Sequence, residues 1–212
     1  MPSLPLPLPH PGPRHPRPEA VHGRIVAGAR RYFFAHGFRR VTMDDLAGEL
    51  GMSKKTLYGH FPSKMALLHA VMSEKMNSVE ADLEQALSAT PGDFPGRLQA
   101  LLSCLRTHTQ EISEAYVRDV RREAPELFAL VQKRRRELIQ HFFGKLLLQG
   151  RKAGMIRKDI PATMMIEMLL GAVDAVVNPT KMGELKTMPQ VAFCQMITIF
   201  LEGVLTEEGR SK

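Results

Sequence analysis

The chain has little of what several function classes require. Two cysteines occur in 212 residues, Cys104 and Cys194. Each falls inside an apolar helical pattern, so both are expected as reduced core thiols, with a redox pair as the alternative. Tryptophan is absent and aromatics make up 6% of the chain, which favours aliphatic helix packing. No apolar run reaches the roughly eighteen residues of a membrane helix, because Glu167, Asp174 and Glu202 interrupt the longest candidates. A soluble, cytoplasmic protein with no membrane partner is expected. Enzyme signatures are missing too: there is no Gly-x-Ser-x-Gly elbow and no His-Glu-x-x-His, and Gly144-Lys145 lacks the upstream glycine of a phosphate loop. No catalytic residue, no cofactor and no metal are expected. His10, His15 and His22 are placed in the proline-rich arm, and His108 with Glu111 makes one helical pair rather than a coordination shell.

What the chain does have is positive charge, placed unevenly. The formal net charge is +7. Residues 1–70 hold ten Lys/Arg against four Asp/Glu, whereas residues 71–212 hold 19 against 18. A local basic surplus is the electrostatic footprint of a surface that displaces counterions from a duplex.

Residues 1–18 contain eight prolines and cannot close a helix or bury a core, so they read as a disordered or polyproline-like arm. Arg14 and Arg17 there could reach a minor groove, although a solvated tail is the simpler reading. From about Glu19 the pattern is helical. Ile25, Ala29, Tyr32 and Phe33 recur on one face, Arg24, Gly28 and Arg31 line another, and His36-Gly37 closes the helix. Thr42 followed by Asp45 forms a capping box, with Val41 and Leu46 as its hydrophobic staple. Ser53 caps a further short helix, stapled by Met52 and Leu57, and Gly51 between the two helices permits the positive φ of a tight turn. The spacing is that of a helix-turn-helix. Ser53, Lys54, Lys55, Thr56, Tyr58 and His60 on the second helix can all donate to phosphates or base edges, while Leu57 and Phe61 face inward.

A fourth helix is expected from Ser63, with Lys64 in its first turn, to Leu87, where Thr90-Pro91-Gly92-Asp93 breaks it. Further helices are expected near 94–109, 113–123, 126–150, 161–177 and 189–206, separated by Ala124-Pro125, Gly154, Ile160-Pro161, Asn178-Pro179 and Met188-Pro189. The fold class is therefore all-α, with about nine helices and no repeat of solenoid period. The expected organisation is an arm over 1–18, a DNA-binding domain over 19–72 and a helical domain over 73–212.

From Arg24 to Val71 the order of features resembles the DNA-binding domain of TetR/AcrR-family transcriptional regulators: Gly37-Phe38, Thr42-Met43, Leu46-Ala47, Gly51-Met52-Ser53, Thr56-Leu57-Tyr58, His60-Phe61 and Ser63-Lys64. The resemblance implies that Thr42, Tyr58, His60 and Lys64 touch phosphates and that Ser53, Lys54, Lys55 and Thr56 lie near bases. It further implies a homodimer through the last two long helices, a palindromic double-stranded DNA operator and a place at the nucleoid. The chain departs from the family at Lys55, where a small residue is common, and at Gly59 inside the recognition helix.

Beyond the reader, seven of thirteen methionines lie between Met155 and Met196, where they would line a ligand cavity or pack as core and dimer contacts. Met164, Met165, Met168, Leu169, Ala172, Val173, Val176 and Val177 make one helix apolar over more than a single stripe, so it needs cover on several sides. Leu101, Leu105, Leu130, Phe142, Phe143, Met165 and Met168 are the candidates for an apolar effector pocket. Glu167 and Asp174 would meet a cationic effector or pair with Arg118, Arg121 or Arg122. The function expected is a ligand-released repressor; the alternative is a helical protein-binding adaptor that keeps the fold.

Overall fold

The structure, a computed structural model, describes residues 18–89, 93–176, 181, 184 and 189–211. The proline-rich arm before Pro18, Thr90-Pro91-Gly92, Val177, Asn178-Pro179 and Met188 lie outside the described residues. Ten helices occur among those described: α1 Pro18–His36, α2 Met43–Glu49, α3 Lys54–His60, α4 Lys64–Ala89, α5 Phe94–Gln110, α6 Glu114–Glu123, α7 Pro125–Lys152, α8 Ala162–Val176, α9 Pro189–Val204 and α10 Glu207–Arg210. The expected nine are all present. The tenth is a single turn capped by Thr206, whose hydroxyl accepts from the Gly209 N–H at 3.1 Å. An isolated antiparallel bridge between Ile156 and Leu205 ties this end of the chain to the α7–α8 connection. No helix among the described residues is long and apolar enough to cross a membrane.

Local signals set the helix boundaries. The capping box forms as expected: the Asp45 N–H donates to Thr42 Oγ1 at 3.1 Å, and the Thr42 N–H donates to Asp45 Oδ2 at 2.8 Å. Ser53 accepts from the Thr56 N–H at 3.0 Å, Ser63 from Ala66 at 3.0 Å and Ser113 from Tyr116 at 3.2 Å, each satisfying a donor that the first turn leaves open. At the other ends, Gly37 closes α1 with φ +83° and Gly51 makes the α2–α3 turn with φ +61°.

Two apolar cores result. In the first, Ile25, Ala29 and Phe33 of α1, Leu46 of α2, Leu57 of α3 and Leu67, Leu68 and Val71 of α4 pack with Tyr116, Val120 and Leu127 from further along the chain. Gly28, expected on a separate face, is buried, because an added Cβ there would stand 2.2 Å from Leu50 Cδ2; the bare backbone lets the end of α2 close on α1. The second core gathers Val79, Leu83, Leu101, Phe142, Leu146, Ile156, Met165 and Leu169. Helix α4, 26 residues and about 39 Å long, runs from one core into the other.

The α1 terminus supplies a stability test. Gly37 holds a left-handed φ, and a Cβ on it would lie 2.8 Å from Asp119 Oδ2, the oxygen that accepts from the Arg39 N–H at 2.9 Å. Gly37→Ala is expected to cost about 2 kcal/mol in urea unfolding with the slope unchanged, and an unaltered midpoint would refute this account of the turn.

Candidate functional site

Helix α3 stands on the surface with its inner side fixed by Leu57 and Phe61, both buried, and its outer side exposed from Ser53 to Thr56 and at Tyr58. Lys55 is exposed with its charge outward. Tyr58 is 48% exposed on this outer side. Ser53 and Thr56 share a hydroxyl–hydroxyl hydrogen bond of 2.8 Å, so the cap orients both side chains at the helix start. Lys54 turns back across the motif to Asp44 of α2 at 2.6 Å, and that carboxylate raises the lysine pKa. It clamps α2 to α3 in addition to facing solvent.

His60 and Lys64 are half-buried. The His22 ring of α1 lies 4.7 Å from Phe61 and 6.3 Å from His60, edge-on. Lys64 Nζ sits 4.2 Å from the centroid of Phe38 and 3.5 Å from the Arg39 carbonyl; burial lowers its pKa, against carboxylates that raise it. Thr42 gives its own hydroxyl proton to Asp45 at 2.7 Å. The eight residues expected at the DNA therefore lie on α3, at the N-caps of α2 and α3, or at the first residue of α4. The first turn of α3 stays open to a duplex.

A second feature lies at the seam of the two cores. A cavity of about 220 Å³ is enclosed by α4 to α9 and draws on Met72, Tyr116 and Val120 of the first core and Val79, Leu101, Leu138, Phe142 and Val173 of the second. Four of the seven expected pocket residues line it: Leu101, Leu105, Phe142 and Phe143. Leu130 and Met168 do not, being 59% and 61% exposed on the outer faces of α7 and α8. Met165 is buried in the second core without reaching the cavity. The methionines that line it are Met72 and Met76 of α4, not the later cluster, of which Met182 and Met188 lie outside the described residues.

Polar groups enter this lining at few places. Lys75 of α4 is 3% exposed. Its ammonium donates to the Glu111 carboxylate, to His108 Nδ1 at 2.8 Å and to the His108 carbonyl at 3.2 Å. Burial lowers the Lys75 pKa, and Glu111 opposes that shift. On the far side of the ring, His108 Nε2 lies 2.9 Å from Asp82 Oδ2. Tyr116 donates its hydroxyl to Met72 Sδ at 2.6 Å, and burial pushes its phenol pKa up. Sequence reasoning missed Lys75, although the i, i+4 spacing of Val71, Lys75, Val79 and Leu83 places it on the inward stripe of α4.

Three further expectations are corrected. Glu167 and Asp174 pair with α7, not α6: Asp174 meets Arg135 at 2.8 Å and Arg136 at 2.9 Å, and Glu167 meets Arg136 at 3.6 Å. The long α7 runs alongside α8 and supplies the nearer cations. Cys194 is exposed on α9 rather than in the core, while Cys104 is half-buried against the second core. Val173, on the broadly apolar helix expected to form the dimer, is buried within the chain's own cavity wall.

Comparison with known proteins agrees with this geometry. Residues 25–71 match the family described as bacterial regulatory proteins, tetR family. The HTH-type transcriptional activator FasR of Mycolicibacterium smegmatis is 32% identical over 105 residues, covering 50% of this chain and 47% of FasR, so the chain spans about half the length of that relative. The HTH-type transcriptional regulator UidR of Escherichia coli is 26% identical over 192 residues, covering 86% of this chain and 92% of UidR. In fold, a TetR transcription regulator from Haloarcula marismortui superposes with a TM-score of 0.69 at 19% identity, covering 87% of this chain and 98% of that one. Over residues 25–71 the chain thus carries the helix-turn-helix of the tetR family of bacterial regulatory proteins, and beyond them it shares the helical fold of that structural neighbour.

Proposed function

We propose that the protein is a sequence-specific DNA-binding transcriptional regulator, a homodimeric repressor whose hold on a palindromic operator is released by a small apolar ligand. The reader is assigned to residues 19–72 and the effector and dimerisation domain to 73–212. The observation that carries this reading is the course of α4. The helix begins at Lys64, next to the reading helix, and supplies Met72, Lys75, Met76, Val79 and Leu83 to the cavity wall. A ligand that prefers one seating of α4 must shift operator affinity by its differential binding to the two states.

Dimerisation through α8 and α9 is supported by their outer faces. Met164, Met168, Gly171 and Ala175 form an exposed stripe on α8, and Val191 and Ile199 (72% exposed) stand on the adjoining α9. Apolar surface of this kind seeks cover. A two-fold axis there would set two α3 helices in successive major grooves about 34 Å apart.

Selection from random duplex DNA, followed by binding titrations at several salt concentrations, tests the reading, and the absence of any salt-dependent, sequence-selective binding would sink it. Tyr58→Phe is expected to weaken all duplexes alike. Lys64→Ala should lower the salt slope by about one unit, whereas Lys55→Ala should redistribute sequence preference by about 1–3 kcal/mol at a contacted base pair.

For the dimer, Ile199→Asp should give a folded monomer in sedimentation at micromolar concentration and lose cooperative operator binding. A dimer that survives both Ile199→Asp and Met168→Asp places the interface elsewhere. The sign of regulation is read by in vitro transcription from an operator-bearing promoter, where the repressor reading requires less transcript as protein is added.

A further inference from the structure

Lys75 stands where an aliphatic side chain would pack at no electrostatic cost. A buried ammonium costs several kcal/mol unless its charge and its protons are answered. Here all three protons are placed, on the Glu111 carboxylate, His108 Nδ1 and the His108 carbonyl. Because Nδ1 accepts from the ammonium, the imidazole carries its proton on Nε2 and gives it to Asp82, so the ring is neutral. Burial, reinforced by the Lys75 charge, lowers the His108 pKa, consistent with that tautomer.

The two cations of the cavity share one arrangement. Lys75 and Arg135 belong to its wall, while the carboxylates that neutralise them, Glu111 and Asp174, stand behind them and outside it. Glu114 is the one acidic residue among the lining residues. The wall thus holds two cationic residues whose carboxylate partners lie outside the lining, around a largely apolar space. Glu111, moreover, has a second cation within reach: its Oε2 lies 3.7 Å from Nε of Arg30 on α1, and that Nε is buried without a hydrogen bond.

We propose that the cavity binds an amphipathic monoanion, with its apolar body among Leu101, Leu105, Phe142 and Phe143 and its single carboxylate taking the place of Glu111 on Lys75. The released Glu111 closes on Arg30, so that anion binding in the cavity is felt at the first helix of the reader. This rests on the reading of the cavity as an effector site. A neutral ligand of equal length gains the apolar contacts alone and leaves the Lys75–Glu111 pair intact. A cationic one meets Lys75 and Arg135 unfavourably.

Three probes of one chain length but different heads decide the matter on the full-length protein: decanoate, 1-decanol and decyltrimethylammonium, followed by calorimetry and thermal melting. Decanoate is expected to bind at least about tenfold tighter than decanol, the difference that one charge-assisted hydrogen bond supplies, with decyltrimethylammonium weakest. Lys75→Met should abolish the preference for the acid and leave decanol within about twofold. Arg30→Gln should keep decanoate affinity within about twofold yet blunt the effect of decanoate on affinity for the selected operator duplex. Equal binding of acid and alcohol, tighter binding of the ammonium probe, or no binding of decanoate overturns the inference. If Lys75→Met does not fold, the three-head comparison on the unaltered protein still decides. Operator binding without head-group preference removes this inference alone; head-group preference without operator binding removes the regulator reading instead.

Discussion

The continuity of α4 is the constraint on which the rest of the molecule depends. Its 26 residues contain neither proline nor glycine, so the helix has no built-in hinge between Lys64 and Ala89. Its first half is fixed in one core by Leu67, Leu68 and Val71, and its second half in another by Val79 and Leu83. Close-packed cores move as bodies rather than deforming continuously. A displacement at the cavity would therefore be carried along the whole helix, and Lys64 at its start is packed on Phe38 beside the reading helix. The contact of α6 with α1 gives a parallel route, since Tyr116 lines the cavity and its ring lies 4.6 Å from Phe34.

Electrostatics sharpen this mechanical picture. A buried ammonium on the shared helix is retained only because α5 and its C-terminal cap bring His108 and Glu111 to it. Replacing such a group with an apolar one is often neutral or stabilising, so stability alone gives no reason for its presence. Lys75 lies between the residues α4 commits to the first core and those it commits to the second, on the wall of the cavity that both cores line.

The reader depends on shorter-range order. Caps at Thr42, Ser53 and Ser63 start three successive helices, Gly51 turns the chain between two of them, and Gly28 gives up its side chain so that Leu50 can approach. Each device involves residues close in sequence or one interhelical contact. The Lys54–Asp44 pair then links the two helices of the motif across its outer face. Exposed on both sides, such a pair contributes little to stability and serves mainly to hold Lys54 at a defined place.

This difference in range separates what the sequence determined alone from what the tertiary structure decided. Helix boundaries, the all-α class and the placement of the eight expected DNA-contact residues on and around α3 were legible because caps, staples and turn glycines act over three to five residues, and because α3 can present only the face opposite Leu57 and Phe61. The cavity was only partly legible. Leu101, Leu105, Phe142 and Phe143 face it, but Leu130 and Met168, equally apolar, face outward, and Val173 turns inward to the wall rather than outward to a second copy. Hydrophobic periodicity says that a face is apolar without saying which neighbour covers it. For α8, apolar on several sides, that choice belongs to α7 and α9. The same holds for charge: Asp174 went to Arg135 and Arg136, and Lys75 to Glu111, 36 residues away, because packing brought those helices side by side. No spacing along the chain encodes such a partnership, which exists only once the helices have met.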